Sequence, residues 1–330
     1  MKSMQNVTEV SALIRQGKKL VLAGDEALLA QLPTGNWIGG TIPYFMSEDG
    51  GVLTHDQIQV IELPPEVTEA DVKFYSSREL EKIPTDYRNN GFSCIIIPAG
   101  TEAHSKFARD CSTWPSIFDR PLMGWISGVD LKDLGKVKPK VFNGKTGKSS
   151  DEDAVVLHLD LIPRKMASLN IINLFKQGPG DTITFPETEF TIGDCFVNGE
   201  KRNFADYLAS KKINTQLPLV ANYMGAMVNV SFQGVDAGTK KVSLYAPVFP
   251  GVEYKIAEPI GDYEKEFNKE IGAHDVKPAY TCNCILNYLY ANLEGKKTAN
   301  IVGPITFGEI AYMLLNQTMV YLTIDDKIKL

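Results

Sequence analysis

A continuous apolar run, Phe92 to Pro98, constrains the fold of this chain more than any other segment. It contains three consecutive isoleucines, Ile95 to Ile97, and shows little of the alternation with polar residues that a half-exposed strand has. Runs of this kind are typical of strands that are buried on both faces of a sheet. A sheet covered on both faces needs a layer on each side, so this segment predicts a layered α/β protein.

The N-terminal residues predict a strand–helix–strand unit. Apolar side chains from Val10 to Ile14 share one face of a short helix. Leu20 to Ala23 follows as a short buried strand, and Asp25 is placed to cap a second helix. The chain returns as a strand over Trp37 to Phe45. This strand–helix–strand unit is expected to begin a first lobe.

The remainder of the first lobe predicts one more strand–helix–strand unit. Thr101 is placed to cap a helix that runs through Cys111, and Leu122 to Val129 is the strand that follows. Residues 46 to 90 predict a strand over Gln57 to Leu63 and mostly loop elsewhere. The first lobe is therefore expected to hold a mixed sheet.

After Ala154 the pattern changes towards antiparallel β structure. Leu157 to Leu161 alternates apolar with polar residues, as a half-buried strand does. Met166 to Lys176 predicts a helix, and the turn at Asp236 to Gly238 predicts a hairpin. The chain is thus expected to be a two-lobed α/β (α+β) protein with mixed sheets flanked by helices and more antiparallel pairing in its C-terminal half.

Charge and composition exclude two classes of partner. The formal net charge of -6 argues against sequence-independent binding to nucleic acid, which needs a basic face. No stretch approaches the ~20 apolar residues of a membrane span, and no N-terminal segment has the apolar core of a signal peptide. With five cysteines, an odd number, the chain is expected to be reduced and cytoplasmic.

The segment from Tyr280 to Ile324 carries the most specific motifs. Cys282 and Cys284 precede an apolar helical pattern, Gly308-Glu309 is expected to form a tight loop, and Asn316-Gln317-Thr318 leads into a final strand. This order resembles the end of FIST sensory domains, the bacterial "F-box and intracellular signal transduction" modules. Further segments follow in the order of that family: Asn36 to Thr41, Pro121 to Gly128, Val197 to Leu208, Pro218 to Val220 and Pro247 to Gly251.

The resemblance implies a domain division and a function. It implies a FIST N-terminal-like lobe over residues 1–190, a C-terminal-like lobe over 191–330, and a small ligand, an amino acid or related metabolite, bound between them. Lobe closure would be read by a separate signalling protein. The resemblance places these residues around the ligand: Trp37, Gly39, Gly40, Thr41, Cys282, Asn283, Gly308 and Glu309.

The residues also permit other interpretations. Helix N-termini favour thiolates, so Cys282 or Cys284 could be the nucleophile of an enzyme, with Glu309 or a histidine as its base. An interaction scaffold with a filled cleft is a third interpretation. Trp37 could equally be a core tryptophan, and Glu309 a structural carboxylate. The sequence departs from the FIST pattern after Cys284, where that family usually has an arginine.

Two further candidates are weaker. The Cys-x-Cys pair supplies two metal ligands, and His274 is the only histidine near it in sequence, so no metal and no cofactor are expected. His158 and Asp160 lie two apart on a predicted strand and therefore share a face. They could form an acid–base pair, but a solvent-facing polar face is the expected role.

Overall fold

The computed structural model describes residues 2–223, 226–272 and 277–327. Within them the helices are α1 Val7–Arg15, α2 Glu26–Leu29, α3 Glu102–Asp110, α4 Phe204–Ser210, α5 Tyr263–Gly272 and α6 Ile285–Tyr290. Short 3₁₀ helices are Leu80–Asp86, Cys111–Thr113 and Leu131–Asp133.

Strands dominate the described residues. Up to residue 172 they are β1 Met4–Gln5, β2 Leu20–Gly24, β3 Trp37–Thr41, β4 Tyr44–Ser47, β5 Gly50–Leu53, β6 Ile58–Glu62, β7 Val67–Tyr75, β8 Gly91–Pro98, β9 Leu122–Ser127, β10 Val141–Asn143, β11 Lys148–Ser150, β12 Ala154–Leu161 and β13 Lys165–Ile172. Beyond it they are β14 Ile183–Thr184, β15 Glu189–Ile192, β16 Asp194–Val197, β17 Glu200–Asn203, β18 Leu219–Tyr223, β19 Ala226–Val230, β20 Phe232–Asp236, β21 Lys241–Val248, β22 Tyr254–Ile256, β23 Tyr280–Cys284, β24 Gly303–Thr306, β25 Glu309–Ala311, β26 Met313–Leu315 and β27 Met319–Asp326.

The central sheet has the strand order β26-β25-β9-β8-β12-β7, with β8 and β9 parallel. Its two faces bury alternate residues of β8, as the isoleucine run predicts. Ile95 and Ile97 pack into one apolar cluster with Phe107 of α3. Ile96 packs into a second cluster with Trp125 of β9. The central sheet is therefore covered on both faces, and the mixed α/β class with helices flanking the sheets is confirmed.

A second sheet, β1-β6-β2-β3-β10-β11, holds the N-terminal unit. β2 and β3 run parallel, and α1 and α2 pack Val10, Ile14 and Leu29 with Trp37 into a separate apolar cluster. The predicted strand from Trp37 to Phe45 is in fact two strands, β3 and β4, which belong to different sheets.

The other sheets combine distant parts of the chain. The sheet β13-β27-β23-β24-β4-β5 pairs strands from residues 44–53 with strands from residues 280–326, and β25 pairs with β9. Residues 183–256 form the sheet β17-β16-β14-β22-β18-β19 and the three-stranded sheet β15-β21-β20. The division between residues 190 and 191 falls inside β15, and strand pairing joins segments on its two sides.

Two predicted elements differ from the structure. Met166 to Lys176 was expected to be helical, but Lys165–Ile172 is a strand that pairs along its whole length with β27. Its apolar residues fit a helical spacing, and long-range pairing overrides that local preference. Residues 46 to 90 hold more strands than the sequence predicts, among them the nine-residue Val67–Tyr75, which pairs with β12.

Candidate functional site

A cavity of about 650 Å³ lies where the central sheet meets the C-terminal part of the chain. One wall comes from Ala99 and Gly100 after β8, from α3, and from the segment 129–139. The opposite wall comes from β15, β21 and α6. The lining consists of Ala99, Gly100, His104, Ser105, Val129, Leu131, Leu134, Gly135, Lys136, Val137, Lys138, Pro139, Phe190, Thr191, Gln233, Leu244, Tyr245, Cys284, Ile285, Leu286, Leu289, Phe307 and Asn316. We call it the inter-segment cavity.

Most of this lining is apolar, with a few polar groups placed among the apolar side chains. Tyr245, Thr191 and Asn316 supply polar groups from the C-terminal wall. From the other wall comes His104, whose Nδ1 lies 3.2 Å from the backbone N of Gly100 and accepts its hydrogen bond. Burial lowers the pKa of His104 to about 4, so its imidazole is neutral at pH 7. An apolar cavity with few polar contacts is typical of small-molecule sites.

Cys284 links this cavity to a buried carboxyl group. Cys284 belongs to the cavity lining, and its thiol hydrogen-bonds Glu309, which is fully buried at the start of β25. Oε2 of Glu309 accepts from the backbone N–H of Thr318 at 3.2 Å and from the Thr318 hydroxyl at 2.9 Å. Burial raises the pKa of Glu309 to about 8, against the opposing effect of these hydrogen bonds. The carboxyl group is therefore largely protonated at neutral pH.

The two late cysteines do not lie in the environment that the sequence predicts. Cys282 is inside β23, and Cys284 is the N-cap of α6, a helix of six residues. Burial raises the pKa of both thiols well above the usual range, and the nearby Glu309 adds to the increase. The expectation that a helix N-terminus stabilises a thiolate here is therefore wrong.

A second cavity, of about 500 Å³, lies at the carboxyl ends of the parallel strands β2 and β3 and of β9. It is acidic, being lined by Asp25, Glu26, Asp130 and Asp133 with His55 and Lys138 among others. We call it the acidic cavity. Ligand crevices in α/β proteins are commonly found outside the carboxyl ends of parallel strands. The segment after β9 contributes Val129, Val137 and Lys138 to both cavities.

His55 lies between two carboxylates in the acidic cavity. Its Nδ1 is 2.6 Å from Asp25 Oδ2, and its Nε2 is 3.2 Å from Asp130 Oδ2. Asp25 does not make the helix-capping hydrogen bond that the sequence predicts, because its side chain faces His55. Burial of Asp130 acts to raise its pKa, but the Lys132 ammonium at 2.8 Å and hydrogen bonds hold that pKa below the usual range.

The glycine-rich strand at Trp37 packs into the core. The indole N–H of Trp37 donates to the Pro33 carbonyl at 2.9 Å, and the side chain is buried. A Cβ on Gly40 would lie 2.6 Å from the Trp125 ring, so the lack of a side chain on Gly40 leaves space for this tryptophan of β9 in the central sheet. Gly39 packs against Trp37 and Leu29. Trp37 is therefore a core tryptophan, which is the alternative interpretation that the sequence permits.

The eight residues that the FIST resemblance singles out do not surround one cavity. Thr41 lines the acidic cavity, and its Oγ1 accepts from the backbone N–H of Lys140 at 2.9 Å. Asn283 lies buried beside Cys284, with its Oδ1 3.0 Å from Asn287 Nδ2. Gly308 packs against Leu314. Glu309 is the first residue of β25 and does not lie in the predicted loop. Trp37, Gly39, Gly40, Cys282, Asn283, Gly308 and Glu309 line neither of the two cavities.

His158 is buried and has polar partners other than Asp160. Its Nε2 lies 2.7 Å from Tyr75 Oη and its Nδ1 2.8 Å from Ser93 Oγ. Burial lowers the pKa of His158 to about 4. Asp160 pairs with Arg88 at 3.4 Å instead. The predicted solvent-facing role is wrong for His158, and the alternative of an acid–base pair with Asp160 does not describe the structure either.

Sequence reasoning missed the residues that line the two cavities most distinctively. His55 lies in the stretch expected to be mostly loop, and Lys136 lies outside every motif considered above, whereas Cys284 is a lining residue that the sequence does single out. One signal was available for the acidic cavity: Asp25 and Asp130 follow closely on two buried strands that each run parallel to a neighbour. Side chains at such strand ends converge on one edge of a layered sheet.

Within residues 2–223, 226–272 and 277–327, the chain has neither a cluster of metal ligands nor a membrane-spanning helix. In that part of the chain, no set of three or more histidines, cysteines, aspartates or glutamates could hold a metal ion. His274, considered above beside the cysteine pair, lies outside the described residues. None of the helices described combines the length and apolar character that crossing a bilayer requires.

A comparison with protein families gives one assignment. The model described as "Family of unknown function (DUF6976)" matches residues 5–325. A comparison with curated proteins finds no match.

Proposed function

We propose that this chain, which belongs to that family of unknown function, binds a small molecule in the inter-segment cavity and signals the presence of the ligand to a separate protein. The observation that carries the proposal is the cavity itself. It has a volume of about 650 Å³, within the range of roughly 300–1,000 Å³ that holds drug-sized ligands. Its lining is drawn from residues 99–139 and from residues 190–316.

A ligand in this position would contact several secondary-structure elements from distant parts of the sequence at once. It would touch the first turn of α3, the three-stranded sheet at Thr191 and Tyr245, and α6 at Leu286 and Leu289. A ligand that binds one arrangement of these parts more tightly shifts the population towards that arrangement. This supports a binding role, and the resemblance to FIST sensory domains supports the signalling part of the proposal, which we propose takes place in the cytoplasm.

A cysteine-dependent enzyme is the second candidate, because one observation favours it. Cys284 belongs to the cavity lining and its thiol contacts the carboxyl group of Glu309, the pairing that a nucleophile and its base require. Two observations count against catalysis. Burial raises the pKa of both groups, so the thiolate is scarce at neutral pH, and Cys284 is almost fully buried. Binding is the better-supported function.

A thermal-shift screen tests the binding proposal. Amino acids, small carboxylates and nucleotides are added to the purified chain, and to variants that fill the cavity from opposite walls, Leu289→Trp and Ser105→Trp. A ligand at a hundred times its dissociation constant stabilises the native state by about 2.7 kcal/mol. Each hit should disappear in both variants.

The matched control for these variants is Ile171→Trp. Ile171 is an exposed apolar residue on β13, outside the cavity lining, so its substitution adds the same bulk elsewhere. A hit that persists in Leu289→Trp and Ser105→Trp, with both variants folded by circular dichroism, would move binding to another site. Alkylation of Cys284 by a substrate-like electrophile, faster than that of free cysteine, would instead support the enzyme.

A further inference from the structure

We infer that the inter-segment cavity binds an amphipathic monoanion, an organic carboxylate with an extended apolar body. The inference rests on the proposed function, since it names the class of ligand for the same cavity. It depends on the distribution of charge and of exposed apolar side chains around that cavity.

The charge of the lining is wholly basic. Among the described residues that line the cavity, no aspartate or glutamate occurs, whereas Lys136 and Lys138 are both present. His104 adds no charge, because burial keeps it neutral at pH 7. The neighbouring acidic cavity has the opposite character, with four carboxylates in its lining. An anion is therefore the charge class that suits this cavity.

The two lysines differ in how far their charge is already neutralised. Lys138 pairs with Asp151, with 3.1 Å between Nζ and Oδ2. Lys136 donates to the backbone carbonyl of Lys132 at 3.1 Å, and in the described part of the chain it makes no ion pair. Lys136 is thus the ammonium that is available to a ligand carboxylate.

Exposed apolar side chains surround the same cavity. Leu134 is 54% exposed, Val137 is 49% exposed and Leu289 is 36% exposed. All three belong to the lining, where they stand beside the buried Leu286 and Leu244. A ligand with an extended apolar body would cover these side chains and gain the free energy of removing them from water.

The same geometry disfavours the amino acid that the FIST resemblance implies. An amino acid presents an ammonium group, which needs a carboxylate or several carbonyl acceptors. Glu309, the one carboxylate among the residues that the resemblance places around the ligand, is fully buried behind Cys284 and accepts a hydrogen bond from Thr318. No acidic side chain in the described part of the chain lines the cavity.

Calorimetric titration with three probes of one chain length tests the inference. Decanoate, decanol and decylamine share an apolar body and differ in charge. We expect decanoate to bind most tightly, decanol less tightly and decylamine least. Lys136→Gln should weaken decanoate about two- to fivefold, the range of an exposed ion pair, and leave decanol unchanged. Lys138→Gln is the matched control and should have a smaller effect, because Asp151 already neutralises that lysine.

The outcomes separate this inference from the proposed function. If all three probes bind equally and all are lost in Leu289→Trp, the cavity is a binding site and the anion preference is overturned. If leucine binds more tightly than decanoate and is lost in Leu289→Trp, the ligand is a zwitterion and the inference again fails. If no probe binds, or binding persists in Leu289→Trp, both the inference and the proposed function fail.

Discussion

At the scale of single residues, Glu309 has an unusually high free-energy cost of ionisation in the folded state. It is a carboxyl group with no exposed surface, and burial raises its pKa to about 8. In the unfolded chain the same group has its ordinary pKa of about 4.5. The folded state thus favours the protonated form, and folding takes up a proton over the intervening pH range.

Stability is therefore expected to fall as the pH rises from about 5 to 9. The contribution of Glu309 is fully present below pH 4.5 and is lost through pH 8, by on the order of 5 kcal/mol. The opposite trend comes from His104 and His158, whose pKa values fall to about 4, so that acid destabilises the fold below about pH 6.5. Urea unfolding at a series of pH values measures both effects.

Glu309→Gln provides the control for this prediction. The amide keeps the shape of a protonated carboxyl group and cannot ionise, so the loss of stability towards pH 9 should largely disappear. The loss of stability at acid pH that His104 and His158 cause should remain in this variant. An unchanged alkaline slope in the variant would mean that another group causes it.

At the scale of elements, the N-terminal sheet packs closely on the central sheet through a glycine. Gly40→Ala should destabilise the protein by about 1–3 kcal/mol, because the added Cβ would lie 2.6 Å from the Trp125 ring and 2.7 Å from Ile96 Cγ2. Gly234→Ala is the matched control, since that strand glycine has no atom within 4 Å of an added Cβ. Equal midpoints of urea unfolding for the two variants would contradict this packing argument.

Local patterns in the sequence predicted elements whose neighbours are near in the chain. The isoleucine run, the capped helix after Thr101 and the hairpin at Asp236 depend on adjacent residues, and all three were predicted. The strand Lys165–Ile172 was not, because its conformation is set by β27, about 150 residues later. The two cavities escaped prediction for the same reason, since their walls come from segments that only the fold brings together.

At the scale of the whole molecule, the last strands complete sheets that begin near the N-terminus. β24 pairs with β4 and β25 pairs with β9, so residues 1–190 alone lack partners for both strands. A fragment of residues 1–190 is expected to show no cooperative unfolding, whereas the full chain should. Differential scanning calorimetry measures this. A sharp transition in the fragment would show that the N-terminal lobe folds independently.

This pairing has a consequence during protein synthesis. β9 ends at Ser127 and its partner β25 begins at Glu309, so 181 residues separate the two strands. At about 5–20 residues per second, a ribosome needs roughly 10–40 s to supply the missing strand. Throughout that interval the emerging chain presents a sheet edge rich in buried apolar residues, the kind of edge that other chains can join. The nascent chain is therefore expected to depend on molecular chaperones until β25 leaves the exit tunnel.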